Sequence, residues 1–338
     1  LLALSGLADR YPASRIFFAA SVLGALANLG FTLPGNSLDA ALAWRFCTGF
    51  ALAGVYPLGM KLVVSWSPER AGNALGWLVG MLVLGTSLPH FLDAVSFDLD
   101  WRITVNIASM LALAGGVIVL LVGNGPGGVS RTGFNWGGVL RAFRHADFRA
   151  AAGGYFGHMW EIYALWTVAP FMLAQALPDA TPALVSFGAF IFIAVGAAGC
   201  VLGGRLSHRV GSARVGFVAL LISGTMCLVY PLLLALEISL PMPVLVVLLL
   251  AWSAAAAGDS PQFSALIARH APREAVGSAL AIVNGIGFSI TVVSISLLMP
   301  LWQQHAANAI WMLVPGPFIG LLLLRPLLRS RPPAAGHA

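Results

Sequence analysis

The loop 204-GRLSHRVGSAR-214 repeats the pattern of 5-SGLADRYPASR-15 at a constant offset, with Leu206 answering Leu7, Arg209 answering Arg10 and Arg214 answering Arg15. A second echo joins 68-PERAGNALG-76 to 272-PREAVGSALA-281 with one inserted residue. Each loop precedes an apolar run of equivalent order in its half. The chain therefore reads as a duplicated helical bundle with a central linker.

The runs between these loops settle the class. Hydrophobic residues make up 59% of the 338-residue chain and charged residues only 9%. So few charges cannot cover that much apolar surface in water. Apolar runs of roughly 18 residues or more recur throughout, each long enough to cross a bilayer as a helix. They lack strict alternation and are rich in Ala, Leu and Gly, which argues against strands. The expected class is an all-α polytopic membrane protein. After a stump at 1–7, spans are expected at about 15–33, 41–65, 72–92, 103–122, 148–176, 183–204, 215–236, 242–267, 276–299 and 309–328. The Gly-rich stretch 123-GNGPGGVSRTGFNWGGVLRAFRHAD-147 reads as a linker. This predicts an N-terminal bundle over 1–122, a cytoplasmic linker over 123–147, a C-terminal bundle over 148–328 and a cytoplasmic tail over 329–338.

Charge placement orients the spans. Alternate loops carry Arg10 and Arg15, Arg70, Arg131 with Arg141 and Arg144, Arg205 with Arg209 and Arg214, Arg269 with Arg273, and Arg325 with Arg329 and Arg331. The intervening loops hold one base, Arg102, among acids such as Asp39, Asp93, Asp98, Asp100, Asp179 and Glu237. The basic set is therefore cytoplasmic. The net charge of +6 is spent on this asymmetry, so no nucleic-acid partner is expected. Cys47, Cys200 and Cys227 fall singly in apolar runs and read as buried small hydrophobes. Trp66, Trp101 and Trp302 lie near span ends and read as interface anchors.

These residues resemble the major facilitator superfamily of secondary transporters, over essentially the whole chain. In 5-SGLADRYPASR-15, Leu7, Asp9, Arg10 and Arg15 match that family's signature between helices two and three. Ser5 and Pro12 stand where it usually has glycine; Gly204 and Gly211 supply glycine in the second copy, where His208 replaces the acid. The stretch 45-RFCTGFALAG-54 is similar to the family's Arg-x-x-x-Gly helix, with Thr48 at a position often held by glutamine. Gly72, Gly76, Gly80 and Gly85 resemble the glycine-rich antiporter signature, without its Gly-Pro pair. The combination of GHMWEIYALW and GDSPQFS resembles a bacterial branch likened to nitrate and nitrite porters. The resemblance implies two pseudo-symmetric six-helix bundles that rock about a cavity. It also implies that this chain starts late in the second of twelve helices, and that the helices holding Arg45, Glu161 and Asp259 line the cavity.

One segment then asks a question of its own. In 155-YFGHMWEIYALW-166, Glu161 lies mid-span, roughly 20 Å above the cytoplasmic helix end. A charge there costs at least ~2.5 kcal/mol on insertion scales, so it must face protein or water. Gly154, Gly157, His158, Glu161 and Leu165 share one face by helical spacing. Two readings stay open: a proton-coupling carboxyl, or a structural one tying two helices together. Arg45 lies at similar depth. Either it faces Glu161 across a cavity and shares an anionic substrate with it, or it snorkels at the interface. Asp259 and Gln262 share a face in 258-GDSPQFSALIAR-269, where Pro261 is expected to bend the helix. Asp259 is expected about 10 Å or more nearer the cytoplasm than Glu161. Two readings stay open for it: an inner-gate residue with Arg269 or Lys61 as a candidate partner, or a helix-bend carboxylate satisfied by neighbouring backbone. Asn284 reads as a cavity residue or as glue between helices. Asp9, Arg10, Arg15, Arg209 and Arg214 form the expected cytoplasmic gate motif. His158 and Glu161 are too few for a metal site, and no cofactor, phosphate loop or catalytic constellation is visible. The expectation is a proton-coupled symporter for a small solute, monomeric, in a bacterial cytoplasmic membrane. The alternatives are an exporter of amphipathic compounds, using Trp160, Trp166 and Phe171, and a sensor that moves nothing.

Overall fold

The computed structural model describes residues 11–95, 100–126, 136–272 and 275–329. Among them every regular element is helical. In chain order these are α1 (Ala13–Phe31), α2 (Leu38–Leu52), α3 (Tyr56–Trp66), α4 (Ala71–Val95), α5 (Trp101–Val122), α6 (Trp136–Arg144), α7 (Ala146–Ala176), α8 (Pro182–Val210), α9 (Ser212–Ala235), α10 (Met242–Gly258), α11 (Ser260–His270), α12 (Val276–His305) and α13 (Pro315–Arg329). A 3₁₀ stretch, Ala306–Leu313, leads into α13.

Among the described residues, eight segments are long and apolar enough to cross a membrane. The expected spans all correspond to helices. Two of them, 41–65 and 242–267, are each broken in two. The first breaks at 53–55, just before Pro57 at the head of α3. The second breaks at Asp259, two residues before Pro261, where a missing N–H and a bulky ring cannot continue the ladder. Helix α7 is not among the eight apolar segments. Its 31 residues are nonetheless buried along most of their length, as befits a helix enclosed by its own bundle.

Capping fixes several helix starts. The side chains of Ser37 and Thr181 accept from the amides of Ala40 and Leu184. Asp100 caps α5 by accepting from the Arg102 amide at 3.0 Å and pairs with its guanidinium at 2.8 Å. The backbone hydrogen bond first, then the side-chain one, hold the Asp100 carboxyl below the usual carboxylate range. Its folded-state value lies under the unfolded one, so whatever this cap contributes is present at neutral pH and is lost only as pH falls through the lowered value.

The repeated loop 204–214 is shorter than expected. Helix α8 runs to Val210 and α9 starts at Ser212, leaving Gly211 alone between them. Its φ of 88° lies in the left-handed region that favours glycine. Arg205 and Arg209 thus sit on the last turns of α8, and Arg214 on the first turn of α9.

The helices sort into two compact units. The first comprises 1–71, 96–141 and 271–282; the second comprises 72–95, 142–270 and 283–338. In the first, α1 packs against α5 and α2. A Cβ on Gly116 would come within 2.8 Å of Ser21, and one on Gly30 within 2.6 Å of Trp44. The Ser14 amide donates to Asn124 at 3.1 Å, and Arg102 donates to the Thr32 carbonyl at 3.2 Å. In the second unit α4 lies along α8, with Gly76 close to the Cys200 carbonyl and the Phe91 ring tilted against that of Phe190 at 5.1 Å. Trp66, Trp101 and Trp302 occupy helix ends, as expected of interface anchors.

Helix α7 is clasped by α13. A Cβ on Gly157 would collide with the Gly316 carbonyl and sit 2.8 Å from the Gly320 Cα. Gly157→Val should therefore cost roughly 1–3 kcal/mol by overpacking. The expected readout is a lowered thermal midpoint in detergent. Gly85→Ala, where a new Cβ meets nothing within 4 Å, should leave that midpoint in place.

Candidate functional site

Glu161 projects from the middle of α7 into the interior of the second unit and is 1% exposed. Its carboxyl is met by neutral groups from two other helices. On Oε2, the Ser223 hydroxyl of α9 donates at 2.9 Å. On Oε1, the Trp252 indole N–H of α10 donates at 2.9 Å, and the Cys227 thiol of α9 sits at 3.4 Å. Ser223 and Cys227 lie four apart on α9, so both meet the same side of α7. Trp252 is itself fully buried, with Tyr230 packed on its ring at 5.8 Å. Helical geometry thus gathers a hydroxyl, a thiol and an indole around one carboxyl.

One turn toward the start of α7, His158 meets Asp259. The His158 Nδ1 and Asp259 Oδ1 atoms are 2.7 Å apart, with 3% and 0% of each side chain exposed. This is an ion pair when the imidazole carries both ring protons. Tyr155 and Phe263 flank the imidazole. The helix break at Asp259 places this carboxyl against α7. The expected partners Arg269 and Lys61 are replaced by His158. The Asp259 carboxyl thus reaches a side chain one helical turn from Glu161 on α7.

The other expected residues are dispersed. Gln262 is fully buried beside Gly203 and Gly216, and neither amide atom has a hydrogen-bond partner among the described residues. Asn284, on α12, is buried with its amide nitrogen likewise unpartnered. Arg45 belongs to the first unit and is exposed. There its guanidinium lies 3.4 Å from Asn28 and 5.3 Å from the centre of the Phe31 ring. Arg15, Arg209 and Arg214 are exposed at helix ends. Asp9 and Arg10 lie outside the described residues.

Reading the sequence alone missed Ser223, Cys227 and Trp252. The available signal was the i, i+4 pair of small polar residues within an apolar run, and a tryptophan at mid-span rather than at a span end. Cys227 was expected to be a plain hydrophobe; it is buried, and its thiol lies against a carboxyl. Cys200 is buried with its thiol turned to the Ala257 carbonyl at 3.2 Å, while Cys47 is only half-buried. Of the aromatic side chains considered for an exporter, Trp160 donates its indole N–H to the Met312 carbonyl at 3.0 Å, whereas Phe171 is 48% exposed, its ring 6.3 Å from that of Trp302.

Comparison with known proteins fits this architecture. The family model for the Major Facilitator Superfamily matches residues 1–295, and the chain belongs to that superfamily. Membership points to a transporter and not to an enzyme. Among curated proteins, the niacin transporter NiaP of Acinetobacter baylyi is 30% identical over 124 residues; the match takes in 34% of this chain and 26% of that protein. The chain therefore spans about a quarter of the length of the curated relative it matches. Among solved structures, the human organic anion transporter MFSD10 (TETRAN) aligns with a TM-score of 0.76 at 15% identity, covering 95% of this chain and 79% of that one. The E. coli fucose:proton symporter FucP aligns with a TM-score of 0.68 at 15% identity, covering 98% and 88%. These likenesses establish the major facilitator fold.

The carboxyl cluster can be tested for energetic coupling. Trp252→Phe strips a donor from Glu161 and should cost roughly 1–3 kcal/mol. Glu161→Leu leaves the indole without an acceptor at comparable cost. The double variant should be more stable than the sum of the singles by roughly 0.5–3 kcal/mol, because the buried indole N–H that lacks an acceptor is gone. Thermal unfolding of the four proteins in one detergent measures this. Strict additivity would mean that the two side chains do not meet.

Proposed function

We propose that the chain is a proton-coupled secondary carrier that moves a small solute, an organic or inorganic anion, by alternating access. The observation that carries this reading is Glu161: a carboxyl fully enclosed at mid-span and contacted by neutral donors alone. Such a group changes charge by taking up or releasing a proton. That change biases the equilibrium between two packings of the helices that share it. The buried His158–Asp259 pair, one turn away, is a second place where a proton can be held. Arg45 is assigned the role of attracting an anionic group, and the basic ends of α1, α8 and α9 that of a cytoplasmic gate with Asp9 and Arg10. Gln262 and Asn284 complete the polar set of the solute path. The reading divides the chain into bundles over 1–122 and 148–328 with a linker over 123–147. It places a monomer in a bacterial cytoplasmic membrane, with the arginine-rich loops inside.

Two relatives support the coupling and the substrate class in different degrees. NiaP carries niacin, a small carboxylate, and FucP is named as a proton symporter. Nicotinate is accordingly the first probe. The purified protein, reconstituted in liposomes with an acid exterior, should accumulate labelled nicotinate or another small anion above its equilibrium level. Glu161→Gln should abolish gradient-driven accumulation while leaving the protein folded and inserted. Accumulation that ignores the proton gradient in the unaltered protein would end the coupling reading. No transport of any anion in the panel, with intact protein, would favour a sensor.

A further inference from the structure

The hydroxyl of Ser223 has one proton and two acceptors in range. Its oxygen lies 2.9 Å from Glu161 Oε2 and 3.2 Å from the carbonyl oxygen of Leu220, one turn back on α9. It can donate to one at a time. The other groups on the carboxyl lack this freedom. The Trp252 indole N–H is a donor only, and it holds Oε1 as an acceptor. The Cys227 thiol shares that same oxygen, and its sulfur is a weak acceptor. A proton arriving on Glu161 must therefore reside on Oε2, where an indole N–H does not oppose it.

The carboxyl's other titratable neighbours have contacts of their own. On α7 these are His158, engaged with Asp259 of α11, and Tyr163, packed against Trp166. From α9 the carboxyl faces Ser223 and Cys227, and from α10 it faces Trp252. Cys200 of α8 points its thiol at Ala257. Helix α13 presents Gly316 and Gly320 to α7 beside Gly157, and Thr291 of α12 donates to the Met159 carbonyl at 3.0 Å. Arg325 of α13 is exposed.

We infer that Ser223 is the positioning residue that lets Glu161 hold either charge state without stranding a buried polar atom. This rests on the reading of Glu161 as the proton site. With the carboxylate ionised, Ser223 donates to Oε2. When a proton from water joins Oε2, the serine hydroxyl rotates its own proton to the Leu220 carbonyl and accepts the new O–H in its lone pair. No other atom moves, and every donor keeps an acceptor in both states. A buried group left unsatisfied in either state would otherwise oppose the change.

The test is infrared difference spectroscopy, acid minus alkaline, on the purified protein in nanodiscs. A carboxylic acid C=O band that is absent in Glu161→Gln assigns the signal. In Ser223→Ala, the protonated acid loses its acceptor, so this band should shift to higher wavenumber. In Ser223→Thr, which keeps the hydroxyl, the band should stay at its original position. If the Ser223→Ala band superimposes on that of the unaltered protein, the inference is wrong while the proton reading stands. If no band depends on Glu161 at any pH, the proton reading fails and the inference falls with it. Should Ser223→Ala fold poorly, Ser223→Cys serves in its place, since a thiol is the weaker acceptor and should shift the band the same way.

Discussion

A carboxyl buried in a helix bundle needs hydrogen-bond donors, and those donors have to come from somewhere. In the second unit that requirement ties α7 to α9 and α10 through one side chain. Glu161 collects a hydroxyl, a thiol and an indole N–H, each from a position where an apolar residue would otherwise serve. Dispersion packs helices along their whole lengths and is tolerant of small slides. Three directed hydrogen bonds on one group are not. They fix the rotation of α7 about its axis and the axial register of α9 and α10 against it. The small residues that flank this point, Gly154 and Gly157 on one face of α7, then permit the close approach of α11 and α13.

The same partners bear on the two readings considered for Glu161. A purely structural carboxyl would be best served by a charged partner or by backbone amides, which would pin it in one ionisation state. Neutral side chains, one of them a hydroxyl able to reverse its direction, leave both states available. On the proposed reading the cluster is an adjustable joint, one that orders three helices and can respond to a proton. His158 and Asp259 differ from it in kind. They face each other as potential opposite charges, so a change on one is felt directly by the other.

Much of the architecture was legible in the residues because the bilayer imposes simple rules on length and charge. Apolar runs of span length became helices, and basic loops alternated with acidic ones. The repeat of 5–15 in 204–214 pointed to duplication. What failed to come through was local or tertiary. The break between α2 and α3 lies inside a continuous apolar run and betrays itself only through Gly54 and Pro57. The loop at 204–214 looked polar enough to be irregular, yet helix α8 carries its arginines to Val210 and only Gly211 leaves the helical path. The partner of Asp259 was hidden because His158 lies on a different helix more than a hundred residues away in sequence. The partners of Glu161 were hidden because Ser223, Cys227 and Trp252 gain meaning only once three helices stand side by side.

Gly211 carries a mechanical consequence. With a single residue between α8 and α9, and with its backbone in a region open chiefly to glycine, the two helices meet at a stiff elbow rather than a slack tether. On the proposed reading, a tilt of α9 that follows a change in its grip on Glu161 would be felt at the arginine-bearing end of α8. The link from carboxyl to arginines would then run through covalent geometry.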